Sequence, residues 1–486
     1  MSTPMPGSLS RRGFLHRSLV ACSAALMPMR VRAQTVGPVM TALSSYMAAA
    51  KDRALPPEVV EKAKHHILDT VAAMVSGSKL PPGQAALTLA RAQAGRTSST
   101  VVGSRIVTGS IDAALANGVL AHADETDDSH GPSQSHPGAS IVPATLALGE
   151  ELGVSGERFL RAVTLGYDVG PRLTMALGGA AFRDESRRST HAFAGNFGSA
   201  AAAGCVAALT AQQMRWLLDY ASQQTGGYAV WGRDTDHMEK AFVFGGMPAR
   251  NGVTAALIVR AGWNGVDDVL SGEDNFFQVN APKGNPAVLV EKLGERYEIV
   301  NTDIKKWTVG SPIQAPLDAL DNLRRKRSFA ADDVKTVVVR LAPSVGAVVD
   351  NRDIPDICLQ HMVAVMLIDK TASFEAAHDK ARMQDAVVQR HRSKVQYVGD
   401  PSLAALLPAR VAIVEVTLND GSQLSDRVEA VRGTVRNPMS RAEVVDKARD
   451  LMVPVLGKSQ TQKLIDTLLT IEAVTDVRTM RPMLQA

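Results

Sequence analysis

The stretch Gly198-Ser199-Ala200-Ala201-Ala202-Ala203-Gly204 indicates the fold class of this 486-residue chain. Alanine is the strongest helix former, and side chains this small let a helix lie close to its neighbours. Apolar residues spaced three or four apart predict further helices on both sides of it. They are predicted from Pro56 to Gly77 and at Ile111–Ala123, Ser140–Leu152, Ser155–Ala176, Phe197–Leu209, Gln213–Gln223 and Asn251–Ala261. We therefore predict a large all-helical domain over residues 36–284.

The pattern changes after Pro282. β-Branched residues alternate over Val334–Leu341, which is typical of a strand. Val411–Leu418 and Gln423–Ala430 flank the turn Asn419-Asp420-Gly421 and predict a hairpin. The helical runs in this region are Pro316–Arg324 and Leu359–Leu367. These features predict a smaller α+β domain over residues 285–430.

The last segment, residues 431–486, is predicted to be helical again. Ala442–Leu456 and Thr461–Val474 carry apolar residues at helical spacing, and we expect these helices to return to the first domain. The predicted fold class is therefore mainly α, with a large all-helical domain plus a smaller α+β domain.

Composition excludes several classes of protein. With 45% apolar and 21% charged residues, the chain is neither disordered nor fibrous. Three cysteines without a C-x-x-C pair exclude a disulfide framework and a thiolate zinc site. Cys205 and Cys358 lie in apolar surroundings, so we expect buried thiols rather than a disulfide.

The N-terminus has the features of a twin-arginine signal peptide over residues 1–33. Ser10-Arg11-Arg12-Gly13-Phe14-Leu15 is followed by the weakly apolar run Ser18–Met29 and by Val31-Arg32-Ala33, which resembles a cleavage site. This order of parts predicts export of the folded protein to the periplasm. The alternative is a basic N-terminus on a cytoplasmic protein.

The net charge of +4 also originates in this leader. Residues 1–33 contain five arginines and no acid, so the remaining chain has 48 basic and 49 acidic residues. The positive balance therefore gives no reason to expect nucleic acid as a partner. After processing we expect no membrane contact either, since no long uninterrupted apolar run remains.

Residues 122–136 concentrate groups that carry chemistry. The segment contains three histidines and four carboxylates within 15 residues, namely His122, His130 and His136 with Asp124, Glu125, Asp127 and Asp128. Such a cluster suits a metal site, general acid–base catalysis or a solvated acidic loop. Gly-rich phosphate loops, G-x-S-x-G elbows and H-E-x-x-H helices are absent from the sequence, which argues against nucleotide, serine-hydrolase and zinc-protease chemistry.

The sequence resembles the MmgE/PrpD family, whose members include 2-methylcitrate dehydratase, cis-aconitate decarboxylase and iminodisuccinate epimerase. The resemblance covers about residues 36–480. The residues that carry it are His122 to Asp128, His136-Pro137, Pro143-Ala144, Gly166-Tyr167-Asp168 with Arg172, His191, Gly195 to Ala202, Lys240, Gly245-Gly246, Asn251-Gly252 and Thr302 to Lys305. Their order and spacing together support the assignment.

This resemblance implies a homodimeric enzyme without cofactor or metal, in which a cleft lies between a helical domain and a smaller α+β lid domain. By position it implies that His136 and His191 are catalytic, together with Lys240 and with Glu125 as the acidic partner of the histidine. Asp127, Asp128, Arg172, Arg233 and Lys305 are assigned to substrate binding.

The sequence also departs from the family pattern. One extra residue separates the acids from His136, and the stretch from His191 to Gly198 is two residues short. The histidine usual after the cleft lysine is missing at Val243 and Phe244. After Lys305, Thr308-Val309-Gly310-Ser311 replaces the usual residues.

Elementary chemistry gives these residues roles. Removing a proton α to a carboxylate creates a dianion, which Lys240, Lys305 or Arg172 would stabilise in a dry cleft. A departing hydroxyl group needs an acid, for which an imidazolium is suited, so His136 and His191 are expected to divide the roles of base and acid. Arg233, next to two aromatic residues, can clamp a substrate carboxylate.

The predicted function is a lyase that dehydrates or hydrates a small di- or tricarboxylate, similar to 2-methylcitrate dehydratase. Decarboxylation or epimerisation of a related carboxylate is an alternative through the same carbanion. Further alternatives are a metal-dependent hydrolase or hydratase and a non-catalytic exported carboxylate-binding protein.

Overall fold

The alanine-rich stretch lies within a buried helix, Thr190–Val206, in the computed structural model, which describes residues 1–2 and 35–486. Every residue of this helix except His191 is buried. A Cβ atom at Gly170 would lie 2.3 Å from the carbonyl oxygen of Ala194, so this helix contact requires a glycine. The helix packs against Gly138–Leu152, Gly156–Leu177 and Met247–Arg260.

The described chain is mainly helical, as predicted. Its helices before the larger sheet are α1 Pro38–Ala49, α2 Pro57–Gly77, α3 Pro81–Ala92, α4 Ser110–Ala121, α5 Gly138–Leu152, α6 Gly156–Leu177, α7 Ala180–Ser186, α8 Thr190–Val206, α9 Ala211–Gln223, α10 Met238–Ala241, α11 Met247–Arg260 and α12 Phe276–Asn280. A π-helical turn, Phe242–Gly246, joins α10 to α11. The short antiparallel ribbon of β1 Ser99–Thr100 and β2 Val107–Thr108 was not predicted, because two residues per strand show no alternation.

A four-stranded mixed sheet follows. Its strands are β3 Val334–Leu341, β4 Val395–Gly399, β5 Ala412–Leu418 and β6 Gln423–Val428, in the order β4-β3-β5-β6. The pair β3 and β4 is parallel, and the other two pairs are antiparallel. The predictions of strand Val334–Leu341 and of the β5–β6 hairpin are confirmed. The helices of this region are α13 Ser311–Lys326, α14 Pro343–Gly346, α15 Leu359–Asp369, α16 Phe374–His378 and α17 Ala386–Arg392.

Helices α13 and α15 cover the sheet. Buried side chains of β5 alternate with half-exposed ones along the strand, as expected where one face of a sheet packs on a core. That core joins residues of α13 and α15 to residues of β3 and β5, for example Leu317, Met362, Val339 and Val414.

The chain ends with the long helix α18, Arg441–Leu469, and the short α19, Arg481–Leu484. Gly457 interrupts α18 with φ 74°, a backbone conformation that glycine adopts without strain. The break explains why the sequence pattern predicts two helices here. Helix α18 packs against α2, so the C-terminal segment contacts the helices of the first part of the chain.

Residues 37–486 form one compact unit, and the domain boundaries at 284 and 430 stay predictions. The predicted signal peptide at 1–33 lies outside the described residues, apart from Met1 and Ser2. Within the described chain, Met238–Arg260 is long and apolar enough to cross a membrane by length and composition. However, 67% of its apolar window is buried in the protein, as in a core helix.

The two cysteines of the described chain are buried and free, as predicted. Burial raises the pKa of the Cys205 thiol to about 12 and raises that of Cys358 as well. Both groups are therefore protonated, unreactive thiols at neutral pH.

Candidate active site

The acidic segment is the loop between α4 and α5, and it is buried. Asp124 and Glu125 are 5% and 7% exposed, and Asp127 and Asp128 are 0% exposed. The alternative of a solvated acidic loop is therefore wrong. Burying four carboxylates costs free energy unless each has a partner, and the partners of these four groups define the site.

Asp127 holds two histidines at once. Its Oδ2 lies 2.9 Å from His122 Nδ1, and its Oδ1 lies 3.1 Å from His136 Nδ1. Burial alone would raise the pKa of Asp127, but the two imidazoles and Lys305 hold it well below its usual value. The ionised carboxylate accepts a hydrogen bond, so each histidine directs an Nδ1 proton toward it.

His136 is suited to act as a base. Burial lowers its pKa, although Asp127 acts in the opposite direction, so the ring is neutral at neutral pH. Its Nδ1 is engaged with Asp127. The free Nε2 is therefore the atom that can accept a proton.

Two lysines surround Glu125. Lys240 forms an ion pair with its carboxylate, and Lys305 Nζ lies 3.7 Å from both Glu125 Oε2 and Asp127 Oδ1. Lys305 also donates to the backbone oxygen of Glu125 at 2.7 Å. Burial favours the neutral acid, yet the lysines outweigh it and hold the pKa of Glu125 well below its usual value. Glu125 therefore contacts the lysines rather than His136, in contrast to the role predicted for it.

His191 lies on an aromatic wall. Its ring stacks on Phe244 with centroids 3.7 Å apart and planes 12° apart, and it lies 5.2 Å from the ring of His136. Phe244 also stacks on His122 at 4.6 Å, so an apolar ring fills the place where the family pattern has a histidine. Burial, and then the neighbouring His136, hold the pKa of His191 well below its usual value. An imidazolium acid at His136 or His191 is therefore disfavoured at neutral pH.

Asp128 does not face the cleft. It accepts hydrogen bonds from Tyr167 OH at 2.6 Å and from the backbone nitrogen of Gly138 at 3.0 Å, and it pairs with His66 Nδ1 at 2.7 Å. These partners use both of its oxygens. In this structure Asp128 anchors the loop to α2, α5 and α6, and its substrate-binding role stays a prediction.

Arg172 also contacts other residues of the protein. It is fully buried, lies 3.5 Å from Asp168, and donates to the backbone oxygens of Glu291 and Arg296 at 2.5 and 2.6 Å. Both terminal nitrogens of its guanidinium group are therefore occupied by backbone oxygens, and its substrate-binding role stays a prediction. It joins α6 to the segment before the sheet.

Arg233 is exposed at the end of the turn Ala229–Arg233. Trp231 of the same turn lies edge-on to Phe244 at 4.8 Å, so the turn borders the site. Arg233 makes no ion pair or hydrogen bond with other described residues, and its substrate-binding role stays a prediction.

The structure adds residues that the sequence analysis did not assign. The ring of His237 lies 5.1 Å from that of His122. His378, from α16 beside the sheet, lies with Nε2 3.0 Å from Asp124 Oδ2. His237 precedes Lys240 by three residues, which is a weak signal in the sequence, whereas His378 follows Asp124 by 254 positions and only the fold brings them together.

Two sets of side chains are close enough to hold a metal ion. They are His122 with Asp127 and His136, and His122 with Glu125 and His237, with donor atoms within 4.8 Å of one another. In the first set Asp127 already bonds both imidazoles. In the second, Lys240 and Lys305 already neutralise Glu125. The positive lysines oppose a divalent cation and favour an anion.

Models of two domains of one protein family match most of the chain. The model of the MmgE/PrpD N-terminal domain matches residues 41–288, and that of the MmgE/PrpD C-terminal domain matches residues 307–472. The chain belongs to the MmgE/PrpD family. The resemblance inferred from the sequence is thereby confirmed.

Individual MmgE/PrpD relatives are similar over most of their length. The chain is 25% identical to a cis-aconitate decarboxylase of Aspergillus terreus, covering 87% of this chain and 91% of that protein. It is 26% identical to the cis-aconitate decarboxylase of Homo sapiens, covering 89% and 91%. These relatives are lyases, and the prediction that this MmgE/PrpD chain is a lyase-type enzyme is confirmed.

Proposed function

We propose that this protein is a cofactor-independent lyase of a small di- or tricarboxylate, in which a proton is removed from the carbon α to a carboxylate. The observation that carries the proposal is the neutral His136, with Nδ1 held by Asp127, beside the two lysines at Glu125. A base and a source of positive charge in one buried site are what this reaction requires.

His136 starts the reaction. Its Nε2 takes the α-proton, and Asp127 stabilises the imidazolium that forms, because the carboxylate lies 3.1 Å from Nδ1. Lys240 and Lys305 stabilise the second negative charge that develops on the substrate carboxylate. Burial strengthens these interactions, since the effective dielectric constant is low in a closed site.

Loss of a group from the neighbouring carbon completes the reaction. We rank dehydration of a hydroxy acid resembling 2-methylcitrate first, because dehydration requires both an α-proton and a base that removes it. Decarboxylation is the second candidate, favoured by relatives named cis-aconitate decarboxylase. Epimerisation would use the same carbanion with return of the proton to the other face.

A substrate panel tests the proposal. Purified protein is incubated with 2-methylcitrate, citrate and cis-aconitate, and both conjugated product and released carbon dioxide are measured. We expect turnover of at least one acid by the wild type and its loss in His136→Ala. Folded wild-type protein that leaves every acid of the panel unchanged would reject the substrate class.

Measurements on the same purified protein distinguish two other functions from the proposed lyase. A metal-dependent hydrolase or hydratase would purify with stoichiometric metal and lose its activity with a chelator. A carboxylate-binding protein without catalysis would bind an acid of the panel and turn none over. The lysines beside Glu125 favour the metal-free lyase over the first of these.

We also propose that the protein acts as a homodimer in the periplasm. Three exposed apolar side chains support association: Leu89, Met238 and Phe242, which line one apolar pocket between α3, α4 and α10. The twin-arginine sequence supports export of the folded protein.

A further inference from the structure

Asp356 carries a buried carboxyl group beside the site, and no residue of the described chain is its partner. It is 4% exposed, and its side chain forms no hydrogen bond or ion pair with the residues that the structure describes. Only its backbone oxygen is engaged, accepting from the nitrogen of Gly310 at 3.0 Å. Buried polar groups are nearly always satisfied in native proteins, so an unpartnered carboxyl group beside other titratable groups is a candidate reacting group.

Its neighbours locate Asp356 at the same site. The turn Pro355–Ile357 packs against α15 and α16. The charged groups that act on its carboxyl are His378 of α16, Asp124 and Glu125 of the buried loop, and Lys240 of α10. The turn that carries Asp356 therefore packs on the helix whose His378 lies 3.0 Å from Asp124 of the buried loop.

These surroundings keep much of the group protonated. Burial is the largest effect, and the two other carboxylates add to it against His378 and Lys240, which together raise the pKa of Asp356 to about 7. The pKa of His136 is shifted the other way. A protonated carboxyl and a neutral imidazole in one site are the pair that acid–base catalysis needs.

Without Asp356, the proposed dehydration would have no group that donates a proton to the leaving hydroxyl group. His136 is occupied as the base, and the ring of His191 is neutral, because its pKa is held well below the usual value. Lys240 is held by Glu125, and Lys305 by the backbone oxygen of the same residue. His237 also lies close to Glu125, but burial lowers its pKa to about 3, so its ring is neutral and a poor acid.

We propose that Asp356 is the general acid of this lyase, which protonates the hydroxyl group that leaves the substrate. The inference rests on the proposed function. The C–H bond breaks and its proton goes to His136 Nε2, and its electron pair forms the carbon–carbon double bond. The C–O bond breaks as the oxygen takes the Asp356 proton, and the group leaves as water. Proton exchange with solvent restores both residues.

Asp356→Asn tests the role, with Asp353→Asn as the control, because Asp353 is exposed and lies three positions earlier in the chain. We expect dehydration by Asp356→Asn to fall by about 100-fold or more, the usual contribution of a general acid. In D2O the α-hydrogen should still exchange in this variant, since His136 is intact. The alkaline limb of the wild-type kcat/KM profile should be absent.

The results of these experiments distinguish a failure of the Asp356 assignment from a failure of the proposed function. Dehydration by Asp356→Asn at the wild-type rate would overturn the assignment of Asp356 alone. Wild-type protein that decarboxylates an acid of the panel without dehydrating any would overturn the role of Asp356 and leave the proposed lyase function intact, whereas folded wild-type protein that leaves every acid unchanged would overturn both. Because the carboxyl has no partner, we expect little loss of thermal stability. If the amide variant unfolds, Asp356→Ala removes the buried polar group and repeats the comparison.

Discussion

A single carboxylate sets the protonation of the base. Asp127 receives the Nδ1 protons of His122 and His136, so one side chain fixes the tautomers of two rings. Because Asp127 is fully buried, its negative charge is little screened by solvent. The state of His136 therefore depends on the balance between burial, which lowers its pKa, and Asp127, which raises it.

The acid side of the pH profile should report this balance. Since the pKa of His136 is lowered from 6.5, kcat/KM for the substrate found in the panel should stay high on acidification until below pH 6.5. In Asp127→Asn the opposing charge is lost, so we expect lower activity and an acid limb at still lower pH. A limb in that variant at or above the wild-type position would contradict the arrangement.

The His378–Asp124 pair should affect stability at alkaline pH. Although burial opposes it, Asp124 raises the pKa of His378 to about 9 from 6.5. A raised pKa gives stability that is fully present below pH 6.5 and is lost as the pH rises through 9. At 1.36 kcal/mol per pKa unit this is on the order of 3 kcal/mol.

Urea unfolding at several pH values measures the effect. We expect the free energy of unfolding of the wild type to fall from pH 6.5 to 9, and to fall less in His378→Gln. His361→Gln is the control, because burial lowers the pKa of His361 to about 4 and the ring stays neutral over that range. Equal slopes in wild type and His378→Gln would refute the ion pair.

What the sequence reveals of the site follows from distance along the chain. His136, Glu125 and Asp127 lie in one short motif, and the structure keeps them together. Asp356 and His378 reach the site from the region of the sheet, where nothing in the neighbouring sequence marks them. Arg172 fits the family pattern, but its role could not be read there, because its partners Glu291 and Arg296 are more than a hundred residues away.

At the scale of elements, α18 supports the buried loop. Lys447 on this helix pairs with Asp69 of α2 at 2.6 Å and donates to the backbone oxygen of Thr126 at 2.9 Å. It is 6% exposed. The bond to Thr126 connects the C-terminal helix to the residue between Glu125 and Asp127.

Breaking this contact should cost both stability and activity. Lys447→Met leaves Asp69 buried without its partner, a change that typically destabilises by about 3–5 kcal/mol. Arg449→Met, which removes an exposed ion pair with Asp446 and an exposed hydrogen bond to Gln462, should change stability by less than about 1 kcal/mol. Urea unfolding and kcat measure both effects, and equal losses in the two variants would contradict the role of Lys447.

Helix prediction succeeded where apolar spacing was regular and failed where helix ends depend on single caps. The sequence pattern starts a helix at Phe197, whereas α8 begins at Thr190 behind Ser189, whose side chain accepts from the backbone nitrogen of Ala192. Gly195 and Asn196 are weak helix formers, so the sequence pattern did not predict the first two turns of α8. Packing on α6 stabilises them in the fold.

At the scale of the whole molecule, the property to test is whether two copies of the protein form a homodimer. Light scattering should give a mass close to twice that of one processed chain. Leu89→Glu places a charge at a side chain that is 49% exposed and lines the apolar pocket, so we expect it to shift the protein toward monomer. Val348→Glu, at an exposed residue near the sheet, should leave the mass unchanged, and a monomeric wild type would refute the homodimer.

The mainly helical class and the sheet hairpin were both predictable, since each depends on patterns within a few residues. The parallel pairing of β3 with β4 was not, because it joins Val339 to Tyr397 across 58 positions, and β4 is too short to be recognised. Family membership required the order of motifs along nearly the whole chain. No single segment carried it.

The contact between Lys447 and Thr126 has a consequence for biosynthesis. The two residues are 321 positions apart, so the buried loop lacks this support until Lys447 has been synthesised. Prematurely terminated products would retain His136 and both cleft lysines and still lack an assembled site. Export of the folded protein, which we propose above, would then carry complete molecules and leave such fragments behind.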